Sequence, residues 1–266
     1  MAERIKMKMQ TRTITCRAFA LWTVFCALTL SPLALEAKTV KVFLLGGQSN
    51  MFGVGGVATE LEPPYNAPFR KVKIWNLNTN HWKPLSAKGS KFGPELSFGH
   101  AMAQAFPESD IRLVKYAASG TALYNDWAPT SGEQYLAFMS TARAALAELR
   151  SNNVDFEIAG MLWLQGESDA HEKQGAAYQK NLTVFIEHMR TEFKTPEMRF
   201  IIARVRDFYG KGAQAKMVRD AQQQVAAGDP YVEWFDTDDC GPLVKGGHYA
   251  SQGLIEIGDR FACKFK

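Results

Sequence analysis

The sequence predicts an α/β protein in which helices cover both faces of a mostly parallel sheet of about five strands. Short apolar segments, typical of buried parallel strands, alternate along the chain with longer segments of helical periodicity. The chain has 266 residues, 46% of them hydrophobic, which is enough for one sizeable core. Ligands bind such sheets beyond the carboxyl ends of the strands, so the residues that follow each strand are the candidate site residues.

The predicted elements follow one another in strict alternation. The first strand, Val-Lys-Val-Phe-Leu-Leu-Gly-Gly at residues 40–47, contains four consecutive apolar residues before its glycines. The segments predicted to form strands, several of which run into a turn, are residues 40–47, 110–120, 156–169, 198–205 and 231–239. The segments predicted to form helices are residues 95–106, 132–151, 176–193, 213–227 and 251–265. This order predicts a doubly wound sheet.

The first 37 residues differ from the rest of the chain. Five basic residues precede an apolar run at residues 18–35, and the small residue Ala37 follows it. This pattern predicts a secretory signal peptide at residues 1–37, followed by a single domain at residues 38–266. An uncleaved membrane anchor is the alternative, because the run reaches the lower limit of a membrane span. A signal peptide would direct export of the protein to the periplasm or the medium. After its cleavage we expect no stable membrane partner.

The charge balance, the cysteines and the histidines bear on which partners and cofactors the protein can have. Without residues 1–37 the chain has 26 basic and 25 acidic residues, so no basic surface predicts a nucleic-acid partner. Cys240 and Cys263 remain, and an oxidising compartment favours a disulfide between them, with two free thiols as the alternative. The histidines lack the spacing of metal ligands, so we expect neither a metal nor a cofactor.

Four strand exits contain polar residues suited to chemistry. Ser49 follows the first strand in Gly-Gly-Gln-Ser-Asn-Met, where it either caps a helix or acts as a nucleophile. Gly120 follows the second predicted strand, and Glu167 lies in Gln-Gly-Glu-Ser-Asp after the third. His248 lies in a glycine-flanked loop before the last helix. Met51 excludes the Gly-x-Ser-x-Gly turn of α/β-hydrolases.

Three motifs together resemble one family. Gly-Gln-Ser-Asn-Met (47–51), Trp-Leu-Gln-Gly-Glu-Ser-Asp-Ala (163–170) and Gly-Gly-His-Tyr-Ala-Ser-Gln-Gly (246–253) resemble the sialate O-acetylesterase-like branch of the SGNH hydrolases, which includes the acetyl xylan esterases of carbohydrate esterase family six. Phe-Gly-Pro-Glu-Leu-Ser-Phe-Gly (92–99) extends the resemblance over nearly all of residues 40–262. The resemblance implies a flavodoxin-like three-layer α/β/α sandwich and hydrolysis of acetyl esters on carbohydrates.

The same resemblance implies roles for individual residues. Ser49 would be the nucleophile and His248 the general base. The backbone N–H groups of Ser49 and Gly120, with the side chain of Gln165, would form the oxyanion hole. Many SGNH enzymes have an aspartate three residues before the histidine, but Lys245 occupies that position here and has no acceptor.

Two sources could supply the missing acid. Glu167 follows a strand, which fixes a side chain better than a loop does, so we favour it as the partner of His248. The alternatives are Asp238 and Asp239 in the loop after the last strand.

The expected partner is an acetylated carbohydrate. Gln48, Asn50 and Asp169 are candidate substrate contacts, and Trp127 would either stack on a sugar ring or pack within its loop. Two other functions remain open: hydrolysis of other acyl esters, as in SGNH lipases and thioesterases, and carbohydrate binding without catalysis.

Overall fold

The computed structural model describes residues 39–207 and 212–266. The predicted signal peptide, residues 1–37, lies outside the described residues. Within the described ranges, no helix combines the length and the apolar character needed to cross a bilayer.

A central sheet of seven strands organises the domain. In chain order the strands are β1 Val40–Gly47, β2 Phe69–Asn76, β3 His81–Leu85, β4 Asp110–Ala117, β5 Phe156–Leu164, β6 Phe200–Ala203 and β7 Val232–Phe235. Their spatial order is β3-β2-β4-β1-β5-β6-β7, and every neighbouring pair is parallel except β2 and β3. The predicted mostly parallel α/β sheet is confirmed, but the expected count of about five strands is too low.

The two unpredicted strands form a hairpin at one edge of the sheet. β2 has the sequence Phe-Arg-Lys-Val-Lys-Ile-Trp-Asn, in which charged residues interrupt the apolar ones. β3 contains Pro84, a residue that edge strands tolerate because one side of an edge strand forms no ladder. β3 is the edge strand, and β2 beside it has three exposed residues, so neither has the continuous apolar run of the buried strands.

Helices cover both faces of the sheet. They are α1 Ser49–Phe52, α2 Glu95–Ala105, α3 Glu133–Ser151, α4 Glu167–His171, α5 Gly175–Phe193, α6 Ala213–Gly228 and α7 Ser251–Phe265. Successive side chains of β1 point to opposite faces: Val42 and Leu44 join the core under α3, α5 and α6, whereas Phe43 and Leu45 join the core under α2 and α7. These two cores make the domain a three-layer α/β/α sandwich.

The carboxyl ends of the central strands meet at one edge of the sheet. Gly47 at the end of β1 pairs with Ala117 of β4 on one side and with Leu164 of β5 on the other. The chain therefore leaves three adjacent strands side by side, which is where open α/β sheets bind ligands. A short hairpin, β8 Leu243–Val244 and β9 His248–Tyr249, completes this edge.

Candidate active site

The first strand exit places Ser49 at the start of a helical turn. Gly47 has φ of +150°, and a Cβ atom there would lie 2.2 Å from the carbonyl oxygen of Leu164, so only glycine fits between β1 and β5. α1 begins two residues later with Ser49. The N–H of a first helical residue has no partner within the helix, so the Ser49 N–H is available to a ligand.

The second exit brings Gly120 next to the first. The Ala118 N–H donates to the carbonyl oxygen of Gly47 at 3.2 Å, which joins the loop after β4 to the loop after β1. Gly120 has φ of +72°, and a Cβ atom there would have no described neighbour within 4 Å. Its N–H donates to no acceptor among the described residues. Gly120 therefore offers an accessible donor at the same edge as Ser49.

The third exit is held against the first by Gln48. Its Oε1 accepts from the N–H groups of Gly166 and Ser168, at 3.3 Å each. Glu167, between them, is buried, and its Oε1 accepts from Asn50 Nδ2 at 2.7 Å. Its Oε2 is buried without a hydrogen-bond partner among the described residues. Burial raises the pKa of the Glu167 carboxyl, although hydrogen bonds from its own backbone N–H and from Asn50 act in the opposite direction.

The fourth exit delivers His248 on the short strand β9. Its neighbour Tyr249 donates its N–H to Asn50 Oδ1 at 3.2 Å. One amide side chain therefore links Glu167 to the histidine-bearing strand. Among the hydrogen bonds of the described residues, none joins the His248 side chain directly to Glu167 or to Ser49.

One open cleft of about 910 Å³ receives all four exits. Its wall includes Ser49, Gly120, Glu167 and His248, which come from segments up to about 200 residues apart in the sequence. An alcohol, an imidazole, a carboxylate and an accessible N–H on one wall are the parts that ester hydrolysis by an acyl-enzyme requires. No group of three or more metal-ligating side chains occurs in the described part of the chain.

The wall also contains residues that the sequence did not single out as site residues. They follow Glu167 along the chain or come from the start of α6, and they include His171, Glu172, Lys173 and Gln214. The first three lie in α4 or directly after it, and their closeness to the third strand exit was the signal that the sequence offered for them.

Gln165 does not face the cleft. Its Nε2 donates to Asp169 Oδ2 at 2.7 Å and to the Thr121 carbonyl oxygen at 3.1 Å, and its Oε1 accepts from the Tyr178 hydroxyl. The side chain is completely buried and absent from the cleft wall. The prediction that Gln165 donates to an oxyanion is therefore not supported, because both of its donor contacts lie in the interior.

Three candidate substrate contacts are interior residues as well. Asp169 is buried and accepts from the N–H groups of Leu123 and Tyr124, and Asn50 is used by its two bridging bonds. Trp127 is 0% exposed and meets Trp163 edge-on, with ring centroids 5.2 Å apart. The expectation that Asn50 and Asp169 contact substrate is not supported, and of the two alternatives for Trp127 the structure shows packing. Gln48 lines the cleft, although its Oε1 serves the third exit.

The alternative acids belong to ion pairs away from the cleft. Asp238 pairs with Arg219, at 2.7 Å between Oδ2 and Nη2, and Asp239 pairs with Arg260, at 2.7 Å between Oδ1 and Nη1. Hydrogen bonds from these arginines lower the pKa of both carboxyls. Neither aspartate lines the cleft, so Glu167 is the one of the three candidate acids that shares it with His248.

The predicted disulfide is not present. Cys240 and Cys263 are both free thiols. Cys240 is buried in the core beneath α7, and this burial raises its pKa to about 12. Cys263 lies on the exposed side of α7. Cys240 therefore lies beneath α7 and Cys263 on its solvent-exposed side, with no bond between them.

The seven-stranded α/β/α sandwich is a fold of the SGNH type. The family model described as "Carbohydrate esterase, sialic acid-specific acetylesterase" matches residues 39–266, so the chain belongs to this family. A curated relative, the probable carbohydrate esterase At4g34215 of Arabidopsis thaliana, is 29% identical over 206 residues, which are 68% of this chain and 74% of the relative.

Solved structures show the same fold. The Arabidopsis thaliana protein AT4G34215 superimposes with a TM-score of 0.71 at 24% identity, over 85% of this chain and 97% of that one. NanS gives 0.69 at 15% identity, over 86% and 97%. XAC1771, described as a novel carbohydrate acetylesterase from Xanthomonas citri, gives 0.60 at 18% identity, over 84% of this chain and 55% of that one.

Proposed function

We propose that the protein is a serine esterase that removes O-acetyl groups from carbohydrates. The observation that carries this proposal is the shared cleft wall of Ser49, Gly120, Glu167 and His248. Membership of a carbohydrate esterase family supports the substrate class.

The first half of the reaction forms an acetyl-enzyme. Ser49 Oγ attacks the acetyl carbonyl carbon while His248 accepts the hydroxyl proton. The negative charge on the carbonyl oxygen is held by the N–H groups of Ser49 and Gly120. Each such donor lowers the barrier by about 3 kcal/mol. The intermediate then collapses, the bond between the acetyl carbon and the sugar oxygen breaks, and His248 returns the proton to that oxygen.

The second half regenerates the serine. Water attacks the acetyl carbon and transfers its proton to His248, and acetate leaves as the bond to Ser49 Oγ breaks and that oxygen regains a proton. The Glu167 carboxylate stabilises the imidazolium in both halves. Its buried Oε2, which has no other described partner, is the acceptor available for this role.

The test compares two serines on the same wall. Ser49→Ala is expected to lower kcat on 4-nitrophenyl acetate and acetylated xylan by at least about 10³-fold, because the acyl-enzyme cannot form. Ser119→Ala is the matched control, since Ser119 also lines the cleft, and it should stay within about threefold of the wild type. A serine-reactive fluorophosphonate should label the wild type and the control but not Ser49→Ala. Equal rates of ester hydrolysis in Ser49→Ala and Ser119→Ala would refute the role of Ser49 as the nucleophile.

Substrate and location need separate measurements. Faster hydrolysis of 4-nitrophenyl octanoate than of the acetate would indicate a lipase-like enzyme instead, and glycan binding without turnover would indicate a binding protein.

We also propose export directed by residues 1–37. Mass spectrometry of protein recovered outside the cytoplasm should then give a mature chain that begins near Lys38, and an intact N-terminus would contradict cleavage.

A further inference from the structure

A second cavity lies behind the nucleophile segment. It encloses about 220 Å³ at the ends of β2 and β4, the edge of the sheet that also bears the cleft. Phe52, the last residue of α1, forms part of its wall, and Lys91 of the same wall donates to the Val54 carbonyl oxygen at 2.8 Å. Val54 itself lines the cleft. Phe52 and Val54, two residues apart in the chain, therefore line one cavity each.

The charge in this cavity is strongly positive. Its wall contains four lysines and one acid, and the set Lys83, Lys88, Lys91 and Lys115 is called the lysine cluster here. The acid, Glu95, is already satisfied: Oε2 accepts from Lys115 Nζ at 2.5 Å, and Oε1 accepts from the Gly93 N–H. Three lysines are thus left without a compensating carboxylate.

Local structure keeps these lysines together. Lys88 and Lys91 are joined by two backbone hydrogen bonds, of 2.7 and 3.1 Å, across a tight turn. Lys88 is close enough to Lys115 for its charge to help lower the pKa of that ammonium, after burial as the main cause. Among the described residues, no acid forms an ion pair with Lys83, Lys88 or Lys91. An anion in the cavity would relieve this repulsion between like charges.

Most of the remaining wall is apolar, and part of it is open to solvent. Phe52 is 43% exposed and Leu77 is 38% exposed, which is unusual for such large side chains, and both face the cavity together with Trp75. Concave apolar surfaces with a few convergent charges are typical of small-ligand sites. At 220 Å³ the cavity is smaller than the about 300–1,000 Å³ of typical ligand pockets, so it suits one small ring.

We propose that this cavity binds an acidic sugar unit of the substrate, a ring that carries a carboxylate, beside the acetylated unit in the cleft. The carboxylate contacts Lys83 and Lys88, and the apolar face of the ring lies against Phe52 and Leu77. This inference rests on the proposed function for its choice of a carbohydrate, whereas the charge and shape of the cavity stand independently of catalysis. It predicts that the enzyme prefers acidic glycans to neutral ones.

The test measures binding directly. Calorimetric titration of the wild type with methyl β-glucuronide is compared with titration with methyl β-glucoside, which has the same ring without the carboxylate. We expect the glucuronide to bind at least tenfold more tightly, and its affinity to fall as salt is added. The double variant Lys83→Ala/Lys88→Ala should lose at least tenfold in affinity for the glucuronide. Lys216→Ala, which removes an exposed lysine of α6, is the matched control and should bind like the wild type.

The outcomes separate this proposal from the esterase proposal. Equal affinity for the two glycosides overturns the acidic subsite. So does a double variant that binds the glucuronide like the wild type, because the ligand would then occupy the catalytic cleft. Either result leaves esterase activity and its loss in Ser49→Ala unaffected. Conversely, lysine-dependent binding in a protein without esterase activity supports the subsite and refutes the enzyme.

Discussion

The role of Glu167 can be tested by a substitution that removes its charge and keeps its shape. In Glu167→Gln the amide oxygen still accepts from Asn50 Nδ2, so the bridge to β9 is preserved. The imidazolium that forms on His248 loses its carboxylate. An ion pair separated by about 5 Å in an effective dielectric constant of about 20 is worth about 3 kcal/mol. We expect kcat to fall by about two orders of magnitude.

The same substitution should stabilise the fold at neutral pH. The Glu167 carboxyl titrates near pH 4.3 in an unfolded chain, and burial raises its pKa in the folded protein. The folded state therefore loses stability as the pH rises from about 4.3 through the folded pKa. Glutamine carries no charge, so the variant should have a higher Tm than the wild type at pH 7. The Tm values of the two proteins should become equal below about pH 4, where the Glu167 carboxyl is protonated in both the folded and the unfolded chain.

Activity and thermal stability are measured on the same samples, with 4-nitrophenyl acetate and thermal unfolding. Glu172→Gln is the control, because Glu172 lines the same cleft but accepts from the Tyr124 hydroxyl, and its kcat should change less than threefold. A Glu167→Gln enzyme within threefold of the wild type would refute the assigned role. A variant that loses both activity and stability would show that the carboxylate is needed for structure instead.

Three further changes test other parts of the structure. Asn50→Ala removes two buried hydrogen bonds and leaves both partners unpaired. Urea unfolding should therefore show a free energy of unfolding lower by about 2–5 kcal/mol, and kcat should also fall. Trp127→Ala should cost about 3–5 kcal/mol as a core truncation, with KM for acetylated xylan unchanged; a raised KM at wild-type stability would restore the stacking role. Maleimide should modify Cys263 in the folded protein and Cys240 only after unfolding, whereas two unreactive cysteines would indicate a disulfide.

The sequence predicts the fold class because the central strands are buried on both faces. β1 and β5 each contain a run of apolar residues, and such a run can be recognised without knowledge of the neighbouring strands. The hairpin β2–β3 was not predicted, since charged and exposed residues interrupt the apolar residues of β2, and β3 is a short edge strand. Position in the sheet is a tertiary property that the local pattern does not carry.

The sequence did not predict the direction in which the polar side chains of the site point. Residue type and strand exits suffice to collect Ser49, Glu167 and His248 at one edge of the sheet. They do not determine whether the amide of Gln165 points into the cleft or into the core. That choice depends on the Tyr178 hydroxyl, which comes from α5 and accepts or donates only once the helix is packed.

The amide side chains of the motifs have a common physical role in holding the loops together. Gln48 connects the first exit to the third, and Asn50 connects the third to the fourth. An amide can donate and accept at once, so Asn50 pairs a carboxylate with a backbone N–H. Aspartate of the same shape would instead place a second negative charge against buried Glu167. The reacting atoms are few, and these two amides keep three of the four loops in register for them. For this reason Asn50→Asp should be more damaging than Asn50→Ala at pH 7, and the difference should shrink as the pH falls and the carboxyls are protonated.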